Sequence, residues 1–565
     1  MTERGHSRVG RALITAGVLA VAAAGTAYAF GPGARADQAG QEAAPGGQAR
    51  ERLRAGRAAD GAPAPAAPRA GSAADSVTAD SAESAGRQVT DGGSCATAAN
   101  APKRQLRGVW IATVHNLDWP SRPGLTEAQQ RDQYVKILDA AVKNRLNAVF
   151  VQVRPASDAI YRSALEPWSQ WLTGKAGQDP GWDPLPFLIE EAHRRGLEFH
   201  AWFNPFRAAD TASAKLPANH PARVHPDWVV KHEGKLYYNP GLPEVRDWIT
   251  RVVTDVVTRY DVDGVHFDDY FYPYPGNGTA FADSAAYKKY GKGKPRADWR
   301  RGNVNAMVAQ VSRAVHAAKP YVKFGISPFG IWRNKAQDPE GSATSGMSAY
   351  DAIYADPRAW IKARSVDYVI PQLYWPRGFE AADYATLVKW WANAVRGSGV
   401  DLYIGQALYQ VGTSGAWKKP GELPAHLGLN RKYPEVGGDV YFSAAQLLKN
   451  PLGVLDRLRK DYYARPALLP LLSGLPTAAP AAPKRVRYAG GTLTWQAQQG
   501  VRAYGIYRVA AGTGGKCATA DARNLVAVLP AAAAPTYRAT TTGAYYVTAI
   551  DRLGNESPAV PAGVT

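Results

Sequence analysis

The sequence predicts an α/β fold: a (β/α)8 barrel followed by a small all-β domain. Three observations predict it. Eight short apolar runs alternate with amphipathic helical stretches over roughly the central two-thirds of the chain, the count a closed eight-stranded barrel needs. The turn after the first run, His115-Asn116-Leu117-Asp118-Trp119-Pro120, has no glycine, whereas an open dinucleotide-binding sheet carries a Gly-rich turn there. Beyond residue 484 the helical period gives way to short strand-like runs separated by turns.

Taken in order, residues 1–29 read as a secretory signal. Arg4, Arg8 and Arg11 precede an uncharged stretch from Ala12 to Ala24, and Ala27-Tyr28-Ala29 supplies the small residues of a cleavage site. The stretch is shorter than the ~20 residues of a membrane span. The mature chain is therefore expected not to span the membrane and to be secreted or cell-wall associated; an uncleaved anchor is the alternative. Residues 30–103 are rich in Ala, Gly, Pro and Ser, as in Ala62-Pro63-Ala64-Pro65, and read as a disordered linker. The barrel is expected over 104–465, with strands at 108–114, 148–154, 198–204, 264–269, 323–328, 366–374, 401–408 and 439–443. Helices are expected at 127–144, 185–195, 244–260, 304–318, 384–396 and 452–463. In 244–260 the residues Val245, Trp248, Ile249, Val252, Val253, Val256 and Val257 share one helical face. A second linker follows at 466–483, and the all-β domain occupies 484–565.

Hydrophobic residues at 45% and charged residues at 20% exclude a wholly disordered or coiled-coil chain. Sixty-seven Lys and Arg against 48 Asp and Glu give +19, which favours an anionic partner. For an exported chain that partner is a cell-wall polymer and not nucleic acid. Two cysteines exclude a disulfide-rich scaffold and a four-Cys zinc site. Cys95 and Cys517 flank the folded region, and a bond between them would staple its ends. There is no His-Glu-x-x-His run, no Cys/His cluster and no phosphate-binding loop, so no metal and no cofactor are expected. A monomer is expected.

In a barrel the chemistry sits at the C-terminal ends of the strands. Those ends carry Gln152 and Arg154; His200, Trp202 and Asn204, then Arg207; His266, Asp268, Asp269 and Tyr270; Gln372, Tyr374 and Trp375; and Gln406. Strand side chains alternate faces. Gln152 and Arg154 share parity, as do His200, Trp202 and Asn204, then His266 and Asp268, then Gln372 and Tyr374. The interleaved residues are mostly Val, Phe, Leu or Ala. Several strands thus send polar groups into the mouth, where a purely structural barrel would hold Val, Ile and Leu. The tandem Asp268-Asp269 stands out, because neighbouring carboxylates repel unless something uses them. Parity aims Asp268 into the mouth. It aims Asp269 toward the helices, unless the strand has already ended; a turn-capping role for Asp269 is the plain alternative. Aromatic residues such as Trp119, Trp171, Trp332 and Tyr274 accompany these groups and suit sugar rings, although about half would pack structurally.

The runs Arg107-Gly108-Val109-Trp110, Val151-Gln152-Val153-Arg154-Pro155, Ala201-Trp202-Phe203-Asn204-Pro205-Phe206-Arg207, Asp263-Gly264-Val265-His266-Phe267-Asp268-Asp269-Tyr270 and Pro371-Gln372-Leu373-Tyr374-Trp375 closely resemble the glycosyl hydrolase-like 10 family over about residues 104–465. In the last domain, Thr492-Leu493-Thr494-Trp495, Tyr504-Gly505-Ile506-Tyr507-Arg508 and Tyr545-Tyr546-Val547-Thr548-Ala549-Ile550-Asp551 resemble strands B, C and F of a fibronectin type III sandwich. The first resemblance implies an exported glycoside hydrolase acting on a cell-envelope polysaccharide, in particular peptidoglycan glycan strands stripped of their peptides. Asp268 and Asp269 are then the catalytic candidates. Arg154, Trp202, Asn204, Arg207, His266, Tyr270, Gln372, Tyr374 and Trp375 are the substrate-binding candidates. Glycoside hydrolysis uses two carboxyl groups; Asp269, Asp118, Asp158 and Glu166 all stand open as the second, as does an N-acetyl group of the substrate acting as internal nucleophile. The alternatives from other classes are a non-catalytic glycan-binding barrel and a basic wall-anchoring protein.

Overall fold

The computed structural model describes Cys95 and residues 101–564, apart from Asn277 and Leu472. The expected signal and nearly all of the first linker lie outside the described residues.

Eight parallel strands close a barrel: β1 (Leu106–Ile111), β2 (Ala148–Arg154), β3 (Glu198–Phe203), β7 (Gly264–Phe267), β8 (Lys323–Ile326), β9 (Tyr368–Val369), β10 (Asp401–Gln406) and β11 (Val436–Tyr441). Around the ring β1 pairs with both β2 and β11, and β3 pairs directly with β7. Each expected strand run overlaps one of these strands, although β1 and β11 begin before the expected 108 and 439. Several end earlier than expected: 264–269 stops at Phe267 and 366–374 shrinks to Tyr368–Val369. The residues beyond those points leave the ladder to build loops at the mouth.

Alternation separates two apolar layers. Val149, Val151, Val153, Phe199, Ala201, Phe203, Val265 and Phe267 face the surrounding helices. Trp110, Phe150, Trp202, Tyr368 and Tyr403 fill the lumen. Gly264 is a packing requirement of that lumen: a Cβ there would lie 2.2 Å from His200 Nδ1. The outer helices start on the caps their sequences supply. Thr126 forms a capping box with Gln129 ahead of Glu127–Lys143, and Asp183 caps Pro184–Arg194, which has Pro at its first turn. The helix Pro243–Arg259 buries all six aliphatic residues of its expected face; each such burial contributes about 1.5–3 kcal/mol relative to exposure.

One sheet is absent from the sequence-based expectation. Between β3 and the helix Pro243–Arg259 the chain builds β4 (Arg207–Ala209), β5 (Val229–His232) and β6 (Lys235–Tyr238), an antiparallel sheet in the order β4-β6-β5. The tight turn Glu233-Gly234, with φ of 46° and 75°, closes its hairpin.

The C-terminal domain is all-β apart from short helical turns. β12 (Arg487–Ala489), β13 (Thr492–Thr494), β16 (Thr536–Arg538) and β19 (Gly563–Val564) make one sheet. β14 (Val501–Val509), β15 (Leu525–Pro530), β17 (Ala544–Asp551) and β18 (Val560–Pro561) make the other. Leu493, Trp495, Tyr504, Ile506, Tyr545 and Val547 pack its core. A short helix, Gly515–Ala520, carries Cys517, which is bonded to Cys95 across a Cα–Cα distance of 5.2 Å. The domain reaches the barrel at the N-terminal end of β7. There Arg502 meets Asp263 through two nitrogens at 2.5 and 2.8 Å, and Arg552 approaches it at 3.3 Å. The described residues of the segment expected as a second linker form no helix or strand, and its start is packed. Leu468 is buried with Tyr507, Leu525 and Ile550, and its N–H donates to the Lys103 carbonyl.

Candidate active site

The mouth is built where β2, β3 and β7 end. Gln152 on β2 is wholly buried: its Oε1 accepts the N–H groups of Thr113 and Val114, and its Nε2 donates to Asn204 Oδ1 at 2.7 Å. Asn204 Nδ2 in turn donates to Asp268 Oδ2. Trp202 Nε1 donates to the same oxygen at 3.2 Å, and the Tyr270 N–H donates to Asp268 Oδ1 at 3.1 Å. Shared strand parity produces this file of Gln152, Asn204 and Asp268.

Asp269 does not go to the helical side. The strand has ended at Phe267, the backbone turns, and the carboxylate accepts Gln372 Nε2 at 3.0 Å on one oxygen and the Tyr274 hydroxyl on the other. Both carboxyls sit on the floor of the mouth, 5% exposed each. Burial, then the neighbouring Asp269, pushes Asp268 up to about 7. Burial also raises Asp269, while Tyr274 and Gln372 pull it back down. Asp268 is thus the carboxyl of the two that is positioned to carry a proton near neutrality.

Of the other carboxyls named from sequence, Asp118 and Asp158 are also pushed to about 6 by burial, so a raised pKa does not single out a site. Their hydrogen bonds do. Asp118 accepts from the Ala112 and Ala445 N–H groups and the Ser443 hydroxyl. Asp158 accepts from the Ala156 N–H and Ser169. Glu166 pairs with Arg154 at 2.5 and 2.7 Å and accepts the Ser157 hydroxyl. All three hold loops together.

Two expected substrate contacts need correction. Arg154 has no exposed surface; besides Glu166 it binds the carbonyls of Asn204 and Pro205. It fixes the end of β3 from below. His266 is likewise fully buried, one strand step beneath Asp268. Its ring meets Trp110 Nε1 at 3.2 Å, the Ser327 hydroxyl at 3.0 Å and the Tyr368 hydroxyl at 3.3 Å. Burial, then His200, holds it neutral, well below the ordinary histidine value. His266 has inward parity but sits below the mouth, whereas the β2–β3 ladder shifts register between Gln152 and Arg154, so that Arg154 pairs with Phe203 of the helix-facing layer and not with the lumen. Gln406 is also structural, bonded to Asp439 and Tyr384.

Of the remaining candidates, Arg207, Tyr270 and Tyr374 lie within electrostatic reach of the pair. Arg207 stacks on the Tyr270 ring at 4.1 Å. Tyr374 meets Tyr409 edge-on at 5.8 Å, and Trp375 packs on Phe329 at 5.5 Å. Trp119 and Trp332 are structural instead, with their indole N–H groups given to Gln130 and Asp356. Three residues of the mouth escaped the sequence reading: His115, Asp210 and Lys235. His115 lies 3.3 Å from Asp210 and packs on Trp171. The hairpin signal Glu233-Gly234 between Val-Val-Lys-His and Lys-Leu-Tyr-Tyr would have located Lys235.

The profile of the glycosyl hydrolase-like 10 family matches residues 105–420. Glycosyl hydrolase YngK of Bacillus subtilis (strain 168) is 47% identical over 482 residues, covering 82% of this chain and 94% of that protein. Glycosyl hydrolase DigH of Escherichia coli (strain K12) is 42% identical over 369 residues, covering 61% of this chain and 84% of that protein. Among solved structures, the PgaB (BpsB) glycoside hydrolase domain from Bordetella bronchiseptica aligns at a TM-score of 0.45 and 13% identity, over 64% of this chain and 99% of that one. With a profile spanning more than half of its residues and a relative this similar along most of its length, the chain belongs to the glycosyl hydrolase-like 10 family and is a glycoside hydrolase acting on a polysaccharide.

Proposed function

We propose that this enzyme is exported and cleaves cell-envelope glycan, most directly peptidoglycan strands freed of their peptides. The observation that carries the reading is the pair of buried carboxyls on the mouth floor, Asp268 pushed up to about 7 by burial and by Asp269, and Asp269 held by Tyr274 and Gln372. Asp268 is the general acid: it gives its proton to the glycosidic oxygen as the C–O bond breaks. Asp269, kept more ionised by Tyr274 and Gln372, serves the anomeric side as base or nucleophile. Asn204 and Trp202 hold the Asp268 carboxyl in place. Tyr270, Tyr374 and Trp375 offer aromatic faces to sugar rings, with Gln372 and Arg207 as polar contacts. Export is supported by the basic and apolar character of residues 1–29 and by the Cys95–Cys517 bond, a feature of oxidising compartments. The excess of 19 positive charges suits an anionic wall.

The test is a reducing-end assay on purified peptide-free strands, wild type beside Asp268→Asn. New ends from the wild type alone are expected. Equal turnover by both would remove Asp268 from the chemistry. Binding without new ends from either would leave a glycan-binding role on these strands.

A further inference from the structure

Arg207 is 8% exposed, yet its guanidinium makes no hydrogen bond or ion pair with any described residue. This is unusual for a cation so far removed from water. Every other arginine with comparable burial here has acceptors: Arg154 has Glu166, Arg107 has Gln105 and the Arg465 carbonyl, and Arg300 has Asp283. The Tyr270 ring lies 4.1 Å beneath the group and fixes its plane. The N–H edge is left open for a planar acceptor.

A second cation stands beside it. In the insert sheet Arg207 is paired across the ladder with Tyr237, and Lys235 lies two residues before Tyr237 on β6. Arg207, Tyr237 and Lys235 therefore share one face. The Lys235 ammonium also makes no hydrogen bond or ion pair with a described residue. Its ammonium is disfavoured by burial and then by Arg207, with Asp210 and Glu233 in partial compensation. The same two cations disfavour protonation of His115, after burial itself. Asp210 is engaged with His115. Asp268 also lies within the electrostatic reach of Arg207, so the face borders the reacting centre.

We propose that Arg207 and Lys235 form a subsite for a carboxylate carried by a sugar next to the scissile bond, which makes the substrate an acidic glycan. The proposal rests on the mouth being the glycosidase site. It gives a physical basis for a preference for stripped strands. A sugar acid joined to a peptide through an amide has no charge for the two cations to meet, whereas removing the peptide exposes a carboxylate. An insert that is absent from the basic barrel plan is also a natural place for specificity, because it borders the mouth without supporting the ring of strands.

The experiment compares peptide-free strands with the same strands whose carboxyls have been coupled to methylamine. It uses the full-length enzyme, Arg207→Met and Lys235→Gln, and each protein's thermal midpoint is measured to establish that it is folded. The wild type is expected to favour the acidic strands by roughly tenfold or more in kcat/KM, chiefly through KM, as befits a charge-assisted contact. Arg207→Met is expected to lose that preference, and Lys235→Gln to reduce it. Equal turnover of both polymers by the wild type would overturn the proposal. So would a preference that survives in Arg207→Met, or a loss of kcat alike on both polymers, which would make Arg207 a positioning residue for Asp268. Pull-down of the two polymers by Asp268→Asn reads the subsite without turnover. Tighter binding of the acidic strands there would support the subsite even if the wild type released no ends, and equal binding would overturn it.

Discussion

At the base of the barrel Asp263 is met by Arg502, Arg552 and His193 and by the Phe199 N–H. Against the cost of burial, Arg502, the His193 hydrogen bond and Arg552 hold its carboxyl well below the ordinary carboxylate value. Beside it, Lys323 and His200 hold Glu198 at about 2, again against burial. At the mouth, further along the same run of sequence, Asp268 is met by neutral donors and by another carboxylate, and rises to about 7. Both ends are buried. At the base the acids are paired directly with cations, while at the mouth Arg207 acts on Asp268 without bonding it and only partly offsets burial and Asp269. A proton remains available near neutrality where no cation pairs directly with the acid, so chemistry is localised by what is left unpaired and not by acidity as such.

The largest effect should come from breaking the mouth. Asp268→Asn is expected to lower kcat about 10³-fold, within the range of a general acid, while the folded signal by circular dichroism is kept. Relief of repulsion from Asp269 offsets the amide group that now faces the donors of Asn204 and Trp202. The wild-type rate should fall as pH rises through about 7, where Asp268 loses its proton; a rate independent of pH from 6 to 8 would argue against that assignment. The converse change at the base, Asp263→Ala, leaves Arg502 without its carboxylate partner, while Arg552 keeps Asp261 at 2.6 Å. It is expected to cost about 3 kcal/mol of stability, read by denaturant unfolding, while kcat on the remaining folded enzyme stays near the wild-type value.

The pH dependence of stability should separate the two ends by sign. The depressed carboxyls of the base contribute stability that is present above about pH 4 and is lost as pH falls toward their folded values. The raised pair of the mouth does the reverse: it costs stability as pH climbs from about 4 toward 7. Melting midpoints between pH 3 and 8 should therefore lose their acid-side slope in Asp263→Ala and flatten on the neutral side in Asp268→Asn.

Much of this contrast was legible in the sequence, but only along one axis. Period-two alternation gave the inward face of 148–154, 198–204 and 264–269, and hence the file of Gln152, Asn204 and Asp268. It could not give depth along the barrel. His266 has the right parity and lies a layer too low, bonded to Ser327 from another strand, and Arg154 follows a bulge after Gln152 that breaks the alternation and turns it to Glu166. Asp269 depended on where the strand stops, and a strand end is set by the loop that follows. The contact of Arg502 with Asp263 joins residues 239 positions apart, and no local pattern announces it. The insert sheet was missed because its strands are only three or four residues long, although its Glu-Gly turn was visible.

The smallest expected effect sharpens the comparison most, because it changes a neutral donor and no charge. Tyr274 gives its hydroxyl proton to Asp269 Oδ2 and helps keep that carboxyl ionised beside the protonated Asp268. In Tyr274→Phe the ring and its packing against Phe329 remain, and only the donor is lost. Asp269 should then take up its proton at higher pH. The acid limb of the rate profile, where the pair becomes doubly protonated, is expected to move upward by a fraction of a pH unit, and kcat at the optimum to fall less than about tenfold. The alkaline limb should stay nearly in place, because it reports loss of the single remaining proton from Asp268. Movement of the alkaline limb alone would exchange the two roles and make Asp269 the acid. If neither limb moved while the rate fell, Tyr274 would be acting on substrate directly, and the different environments of the two mouth carboxyls would have to come from Gln372 and the Asn204–Trp202 donors.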